Sequence, residues 1–591
     1  MPALPRSTLA LIWLSLAASL CVGIFARGYW TPDEPREADL AWRMSWQSDK
    51  AVPLLAGEAF CEKPPLAYWL AGAAIAAWGA DPWVARLPNL LYALVTALAV
   101  GWIARRSAGP VAGVAAAAAV SSFLLSYQAA IWLATDAPLV AAVAAALAGL
   151  YAGFYARGTG ERLRGYTCMH LALAAGFLSK SAAAWMVPTL TFAALVTWER
   201  RWRELLRWEL YVGLLLQAAL ILGWVWTVHA GPDGPLRLKI FFWNNLVGRF
   251  AHVDAPQDLQ YATGHRNTPG KYFIELPLYL CPWTLLVAAA VRQAWRQRTL
   301  PQDRQRTSRF AIAAFVPALC VLSVAATARN IYLAPALPAV ALLLGGWAAA
   351  LTESGDPWDR RAICATAVLL IIGAMAFAAG AAVIGFDSGT AMRSPALFVA
   401  ASALGIGGAV AGSVGAWRDA RRRRPLRALL AMLLAYCALL VGPAAAIYGE
   451  VDAWQNLAAI GRAIGNDAAG RPLILVAPDE TTRAFIDMYT RTSVELLPGP
   501  TAPSQDRLKA LIDADPRTEV VMQLPGRSRG RALAQLADRW RAGGRIPAAP
   551  PDDDALPPWA ADASLRIARR YALPNGRRYA LLAREAAAAS R

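Results

Sequence analysis

Four carboxylates crowd a short stretch of the sequence after its first apolar run. Asp33, Glu34, Glu37 and Asp39 lie within seven consecutive positions, directly after the apolar residues 9–26. Such a cluster can supply a general base or hold the hydroxyl groups of a ligand. Carboxylates beside a membrane span also need partners, because an unpaired charge is costly next to hydrocarbon. The stretch therefore predicts one wall of an active site at a membrane surface.

Further charged side chains stand at the ends of other apolar runs or in the loops between them. They are Arg36, Glu62, Lys63, Asp136, Lys180, Arg249, His265, Arg266 and Arg329. Asp136 and Lys180 are isolated in the apolar segments WLATDAPLV (132–140) and GFLSKSAAAW (176–185). Because isolated ionisable groups at a membrane face need partners, we expect these residues to meet in a polar cavity.

Each of these residues also has an interpretation without chemistry. Asp33 and Asp136 each stand two positions before a proline and could cap the helix that follows. Glu34 and Glu37 could compensate the helix dipole, and Lys180 could extend its ammonium group to the membrane interface. Arg329 could bind lipid headgroups, and His265 could be an ordinary loop residue. The spacing alone does not decide between these interpretations.

The composition places these charges in a membrane protein. Of the 591 residues, 57% are hydrophobic and 17% are charged, whereas a soluble domain carries about a quarter charged residues. Repeated apolar runs of about 20 residues match the thickness of a bilayer core. The net charge of +18 comes mainly from short arginine clusters between these runs, as in cytoplasmic loops. The positive charge thus indicates membrane topology and not nucleic acid binding.

The arginine clusters fix the orientation of about thirteen predicted spans, with the N-terminus inside and the C-terminus outside. The spans lie at 9–26, 87–104, 111–127, 137–155, 166–179, 182–198, 209–229, 273–291, 310–327, 331–350, 362–386, 395–415 and 427–447. The apolar run 66–79 is short and is predicted as an interfacial or re-entrant helix. Residues 1–447 then form a membrane domain with long outer loops at 27–86 and 230–272.

Residues 448–591 are predicted to form a soluble α/β domain on the outer side. RPLILVAP (471–478) and TEVVMQL (518–524) are typical of buried strands, and SQDRLKALIDAD (504–515) is typical of a helix. Two further strands flank a Pro-Asn-Gly turn within 567–583. The sequence of this domain has no catalytic motif, so we expect it to cover the cavity or to recognise an acceptor.

The order of the charged motifs resembles that of a known family. DEPREADLAWRM, AFCEKPPLAYW, TDAPL, LSK, GHRNTPGKYF and ARNIYLAPALPAVALLL are similar to segments of the bacterial lipid A aminoarabinose transferases, which are related to protein O-mannosyltransferases. The matching segments lie between residues 33 and 344. The resemblance implies an all-α polytopic GT-C membrane fold and a sugar donor on undecaprenyl phosphate. It also implies the bacterial inner membrane, membrane lipid around the spans, and a periplasm-facing acceptor, commonly a lipid A phosphate.

The resemblance implies roles for individual residues. Asp33 and Asp136 are the paired acidic residues of the cavity, and Lys63 joins them as a predicted catalytic residue. The predicted substrate-binding residues are Glu34, Arg36, Glu62, Lys180, Arg249, His265, Arg266 and Arg329.

Two departures from the family pattern bear on metal binding and on the substrate. Where relatives commonly have Glu-His, this chain has Asn245 and Leu246. This change removes two ligands that could hold a divalent metal beside Glu62. Lys180 is followed by Ser181, where relatives have glycine. The sequence therefore establishes no cofactor, leaves a divalent metal possible with Glu62 as its ligand, and does not name the sugar.

A polyprenyl phosphate is a good leaving group, so its departure depends on neutralising the growing negative charge. Lys63, Lys180 and Arg329 are predicted to neutralise it, with Arg249 in support. If the acceptor is a lipid phosphate, the carboxylates would hold hydroxyl or amino groups of the sugar. If the acceptor is a hydroxyl group, Asp33 would be its general base. Displacement in one step would invert the anomeric carbon.

The predicted function is therefore transfer of a sugar, an amino sugar first of all, from undecaprenyl phosphate to lipid A phosphate. One alternative is an O-glycosyltransferase acting on a protein or another glycan. A lipid or sugar transporter is the non-enzyme alternative, and it would favour internal repeats and charges at the bilayer midplane. Here the distinctive charges lie at the outer ends of the spans, which favours an enzyme.

Overall fold

The computed structural model is mostly helical. It describes residues 5–247, 268, 270–299, 301–325, 329–351, 356–388, 395–490, 494–497, 502–524, 556–573 and 576–584. Ala- and Leu-rich runs form the helices, and proline stands at the first position of several of them, where its missing N–H is harmless.

The described residues up to Trp454 form twenty α-helices and one short hairpin, besides four short 3-10 or π helices at Trp202–Leu206, Ile240–Leu246, Gln297–Thr299 and Asn330–Ala336. The first sixteen helices are α1 (Arg6–Phe25), α2 (Asp33–Trp46), α3 (Leu66–Trp78), α4 (Pro82–Ala85), α5 (Pro88–Ala108), α6 (Pro110–Ser122), α7 (Leu124–Ile131), α8 (Asp136–Phe154), α9 (Thr159–Lys180), α10 (Ala183–Trp198), α11 (Trp208–Ala230), α12 (Gly234–Lys239), α13 (Lys271–Tyr279), α14 (Thr284–Arg296), α15 (Gln302–Val324) and α16 (Leu337–Ala350). The last four are α17 (Pro357–Ser388), α18 (Pro395–Arg421), α19 (Pro425–Val441) and α20 (Pro443–Trp454). The hairpin pairs β1 (Leu54–Leu55) with β2 (Glu58–Ala59).

Nine helices in the described part of the chain are long and apolar enough to cross a membrane, and two bent pairs raise the number to eleven. The predicted number, about thirteen, is higher. The difference lies in α9 and α10, which coincide with the predicted spans 166–179 and 182–198. Charged residues at both ends of α9, including Arg164 and Lys180, lower its hydropathy. Helix α10 has only 16 residues, about 24 Å of helix.

The two bent pairs contact each other at their breaks. Helices α6 and α7 are bent by 65°, and α13 and α14 by 110°. The Leu124 N–H at the first break donates to the Cys281 carbonyl at the second, at 2.9 Å. Trp283 Nε1 also donates to Ser122 Oγ at 2.8 Å. Backbone groups freed by a break need partners inside a membrane protein, and here one break supplies a partner to the other.

The buried carboxylate of Glu34 joins several segments of the membrane domain. Glu34 is 0% exposed and accepts hydrogen bonds from Arg27 Nη1 at 2.5 Å, from Arg86 Nε at 3.0 Å and from the Leu133 N–H at 2.8 Å. Arg27 also donates to the Ile131 carbonyl at 2.7 Å. These bonds connect the ends of α1 and α7 to the starts of α2 and α5. Burial alone would raise the pKa of Glu34, but the two arginines hold it below its usual value.

Asp39 anchors the other side of α2. It is 0% exposed and accepts hydrogen bonds from Arg43 Nε at 3.2 Å and from the Ala56 N–H in the β1–β2 turn at 2.7 Å. Burial raises the pKa of Asp39 to about 6 despite the opposing charge of Arg43.

The described residues from Leu457 onward form a mixed α/β unit. Its elements are α21 (Leu457–Ala468), β3 (Leu473–Val476), α22 (Glu480–Thr490), β4 (Val494–Leu497), α23 (Ala502–Ala514), β5 (Glu519–Leu524), α24 (Pro558–Asp562), β6 (Leu565–Ala572) and β7 (Arg578–Arg584). The strand order is β4-β3-β5-β7-β6, with β3 parallel to β4 and β5, and β7 antiparallel to β5 and β6. The predicted α/β class is confirmed, although α21, α22, β4 and α24 were not predicted.

Replacing Glu34 by glutamine should destabilise the folded protein by about 3–5 kcal/mol, because it leaves two buried arginines without their counter-ion. Thermal unfolding in one detergent would show a large fall in Tm. The matched control is Glu58→Gln, whose side chain is 65% exposed and which should change Tm little. Equal melting temperatures for the wild type and Glu34→Gln would contradict this account.

Asp39 should make stability decrease as pH rises. Its folded pKa is raised to about 6, so between about pH 4 and pH 6 the folded state binds more protons than the unfolded state. Up to about 3 kcal/mol of stability should be lost over this window, and Asp39→Asn should abolish that component. The measurement is Tm against pH for wild type, Asp39→Asn and the exposed control Asp562→Asn. A pH dependence unchanged by Asp39→Asn would refute the assignment.

Candidate active site

Three charged side chains share one face of α2. Asp33, Arg36 and Glu37 are spaced three and four residues apart, so they project from the same side of the helix. Arg36 Nη2 lies 3.7 Å from Asp33 Oδ1 and 3.5 Å from Glu37 Oε1. The β2–α3 loop, the ends of α8 and α9, and the residues after α15 supply the charged groups around this face.

Asp33 forms an ion pair instead of a helix cap. Helix α2 begins at Asp33 itself, and no side chain caps it. Asp33 Oδ2 accepts a hydrogen bond from Arg329 Nη2 at 2.7 Å. The hydroxyl of Tyr272 donates to the Arg329 carbonyl at 3.0 Å, which fixes the backbone at that arginine. Asp33 stays 28% exposed in this pair, so it is accessible to a ligand.

Glu37 holds Lys63 of the EKPP segment. Lys63 Nζ donates to Glu37 Oε1, and the Tyr68 hydroxyl donates to Glu37 Oε2 at 2.8 Å. Burial would raise the pKa of Glu37, but Lys63, Arg36 and the Tyr68 hydroxyl hold it below its usual value. The Glu37 side chain is 2% exposed and that of Lys63 is 14% exposed. The carboxylate thus orients an ammonium group that keeps some access to solvent.

Asp136 and Lys180 form a second acid–lysine pair, between the first residue of α8 and the last residue of α9. The two helices run antiparallel and approach closely at glycines. A Cβ on Gly149 would lie 2.4 Å from the Met169 backbone nitrogen. Asp136 does not cap α8 with its side chain, and Lys180 is 14% exposed, so neither the capping nor the snorkelling interpretation describes this pair.

The two acid–lysine pairs belong to one cluster. Lys180 lies within electrostatic range of both Lys63 and Glu37. Its Nζ is 5.6 Å from the ring centroid of Tyr332, in the helical turn Asn330–Ala336 that follows Arg329. The structure therefore brings the residues Asp33, Lys63 and Asp136, whose catalytic role stays a prediction, together with Arg36, Lys180 and Arg329.

The surroundings of Glu62 do not form a metal site among the described residues. No three His, Cys, Asp or Glu side chains in that part of the chain converge to hold a metal ion. Asn245, at the position where relatives commonly have glutamate, donates through Nδ2 to the Cys61 carbonyl at 3.0 Å and to the Ile240 carbonyl at 3.2 Å. It thus ties its helical turn to the residue before Glu62. Glu62 interacts electrostatically with Arg36, and its predicted role as a metal ligand stays a prediction.

The remaining predicted residues fall outside the cluster or outside the described residues. Glu34 was expected to bind substrate, but its buried bonds to two arginines leave it no surface for a ligand. Arg249, His265 and Arg266 lie outside the described residues.

Sequence reasoning missed several residues that orient the charged groups. Glu37 was read as a helix-dipole carboxylate, although its i,i+4 spacing from Asp33 places it on the same face of α2. Tyr68 and Tyr272 each donate a hydrogen bond that fixes a site residue. Nothing in their local sequence distinguishes these two from the other tyrosines, because their partners come from distant segments.

An apolar groove with a volume of about 1410 Å³ runs along the membrane domain. Side chains of α1, α5, α6, α7, α8 and α9 line it. One end includes Leu90 and Ala137, the latter next to Asp136, and the other end includes Arg105 and Arg164. The groove thus extends along the surrounding helices, and its lining includes Ala137, the neighbour of Asp136 in the sequence.

Comparison with known proteins finds similarity to lipid-linked sugar transferases over part of the chain. Residues 62–226 match the family model for dolichyl-phosphate-mannose-protein mannosyltransferases. An undecaprenyl phosphate-α-4-amino-4-deoxy-L-arabinose arabinosyl transferase of Pseudomonas aeruginosa is 29% identical over 344 residues, and the match spans 58% of this chain and 59% of that relative. A similarly named protein of Edwardsiella ictaluri is 26% identical over 350 residues, 58% of this chain and 60% of its own.

The fold comparison extends over nearly the whole chain. The crystal structure of ArnT from Cupriavidus metallidurans bound to undecaprenyl phosphate superposes with a TM-score of 0.70 at 18% identity, over 98% of each chain. The apo structure of that protein gives a TM-score of 0.67. This chain is therefore ArnT-like in sequence over more than half of its length, and it has the GT-C fold.

Proposed function

We propose that this protein is an integral membrane glycosyltransferase that moves a sugar from undecaprenyl phosphate to a periplasm-facing acceptor, with inversion at the anomeric carbon. An amino sugar and a lipid A phosphate are the donor group and acceptor we favour. The observation that carries this proposal is the convergence of Asp33–Arg329, Glu37–Lys63 and Asp136–Lys180 in one cluster. The similarity to proteins that use undecaprenyl phosphate-linked aminoarabinose supports it.

The proposal includes a location and an orientation. The protein would lie in the bacterial inner membrane as a multi-pass protein, with its N-terminus in the cytoplasm. Residues 1–447 would be the transferase domain and residues 448–591 a periplasmic domain. The arginine-rich loops between the spans support this orientation.

The cations of the cluster would stabilise the departing polyprenyl phosphate. Lys63, Lys180 and Arg329 are already held by carboxylates, so they need little reorganisation when charge develops on the phosphate. The long apolar groove suits the isoprenoid chain of the donor, because it is lined mainly by apolar side chains of the surrounding helices.

Asp33 is the best placed carboxylate to contact the sugar or the acceptor. It is 28% exposed, whereas Glu37 is 2% exposed and Asp136 is 10% exposed. With an anionic phosphate as nucleophile, positioning matters more than proton removal, and Asp33 would hold sugar hydroxyl or amino groups. With a hydroxyl acceptor, Asp33 would accept its proton.

A protein O-glycosyltransferase is the second candidate function. The match of residues 62–226 to the protein mannosyltransferase family model favours it. The two candidates share a lipid-linked donor and differ in the acceptor.

Asp33→Asn and Lys63→Ala should each lower kcat about 100-fold or more, because each removes a charge that stabilises the transition state. The measurement is sugar transfer from a synthetic undecaprenyl phosphate donor by purified protein. Size-exclusion profiles should match the wild type, and the exposed control Glu58→Gln should retain activity. Near-wild-type turnover in either variant would remove that residue from the mechanism.

Mass spectrometry of lipid A from matched strains with and without this gene tests the acceptor. We expect a gain of one pentosamine or hexosamine mass on a lipid A phosphate, which disappears in Asp33→Asn. Unchanged lipid A together with a glycosylated protein would favour the second candidate. If no glycoconjugate changed, the transferase proposal would fail.

A further inference from the structure

Helix α22 of the C-terminal unit lies directly against α2. The Thr481 hydroxyl donates to the Pro32 carbonyl at 2.9 Å, one residue before the start of α2. Ala484 is completely buried in a cluster with Leu40 and Met44 of α2. The active-site helix is thus packed between the membrane domain and the C-terminal unit.

Three ion pairs cross this interface, and each involves a different part of α2 or of the hairpin. Arg43 pairs with Asp487 near the end of α2, and Arg483 pairs with the half-exposed Glu58 of the hairpin. The third pair joins Glu480 Oε2 to Arg36 Nη1 at 2.5 Å. Of these three pairs, this last one involves a residue of the charged cluster.

Arg36 is held by Glu480 at one end and faces the active-site carboxylates at the other. Its Nη2 lies 3.7 Å from Asp33 and 3.5 Å from Glu37, beyond a normal hydrogen bond. Its Nε is buried without a hydrogen-bond partner among the described residues. The guanidinium group is therefore kept from closing on Asp33 or Glu37 by its short contact with Glu480.

Glu480 is itself fixed by the sheet of the C-terminal unit. It opens α22 four residues after the end of β3. The preceding Asp479 accepts a hydrogen bond from the Thr482 N–H at 2.7 Å and pairs with Arg577 at 3.0 Å. The position of the Glu480 carboxylate thus depends on the sheet and not on a loose loop.

We propose that Glu480 is a positioning residue for the transfer reaction, which holds Arg36 away from Asp33 and Glu37 and so keeps Asp33 available to the substrate. The inference rests on the proposed function and assigns a catalytic purpose to the C-terminal unit. Without Glu480, Arg36 closes on Asp33, engages its free oxygen and lowers its affinity for a proton or a sugar hydroxyl.

The test compares three variants that each remove one ion pair from the same interface. Glu480→Gln should lower kcat about tenfold or more with little change in KM, because misplacing a group at the reacting centre affects turnover first. Asp487→Asn and Glu58→Gln are the matched controls and should leave both quantities near wild type. Glu480→Asp, which keeps the charge, should recover part of the lost turnover.

If Glu480→Gln and the two controls changed kcat equally, the inference would be overturned, because Glu480 would then only help to dock the two units. Hydrogen exchange of residues 32–40 supplies a readout that does not depend on turnover. The exchange rate of residues 32–40 should rise in Glu480→Gln and stay unchanged in Asp487→Asn. If the wild type transfers no sugar, the proposed function fails, and an unchanged exchange rate in Glu480→Gln would then reject the positioning role separately.

Discussion

The buried carboxylate of Glu34, with the arginines that surround it, is the constraint on which the geometry of the outer surface depends. Arg27 and Arg86 are separated by most of the first outer loop, yet both bond to this one side chain. Removing three charges from water is costly, and only complete pairing and hydrogen bonding compensates for it. The bonds of Glu34 to these two arginines fix where α1 ends and where α2 begins. Because Glu34 belongs to the first turn of α2, its bonds also fix the rotation of the helix about its axis, and with it the direction in which Asp33 and Glu37 project.

The cluster built on this frame consists of paired charges and not of isolated ones. In the part of the chain that the structure describes, Lys63 contacts Glu37 and Lys180 contacts Asp136. Partly buried pairs of this kind contribute uncertain stability, and they commonly mark functional sites. These pairs orient the cations, because each cation is held near the surface of the cavity before a ligand arrives. Of the carboxylates in these pairs, that of Asp33 is the most exposed to solvent. Its partner, Arg329, is the most exposed of the paired cations.

The sequence predicted the helical membrane class, the α/β class of the C-terminal unit and the residues that converge. Lone charges in apolar surroundings are conspicuous because hydrocarbon penalises them, and for that reason Asp136 and Lys180 could be found without a structure. The role of Glu34 could not be predicted from the sequence, because burial is a property of the assembled fold and the partners of Glu34 lie in other segments. The bends within the predicted spans 111–127 and 273–291 were also invisible, since hydropathy reports how apolar a segment is and not whether it is straight.

The bond between the two helix breaks has a consequence for how this architecture can vary. The Leu124 N–H and the Cys281 carbonyl satisfy each other across more than 150 residues of sequence. A chimera that exchanged one bent segment for a straight helix would leave an amide or a carbonyl stranded in the hydrocarbon layer. The two bent segments are therefore structurally coupled, and a change in the backbone of one needs a matching change in the other.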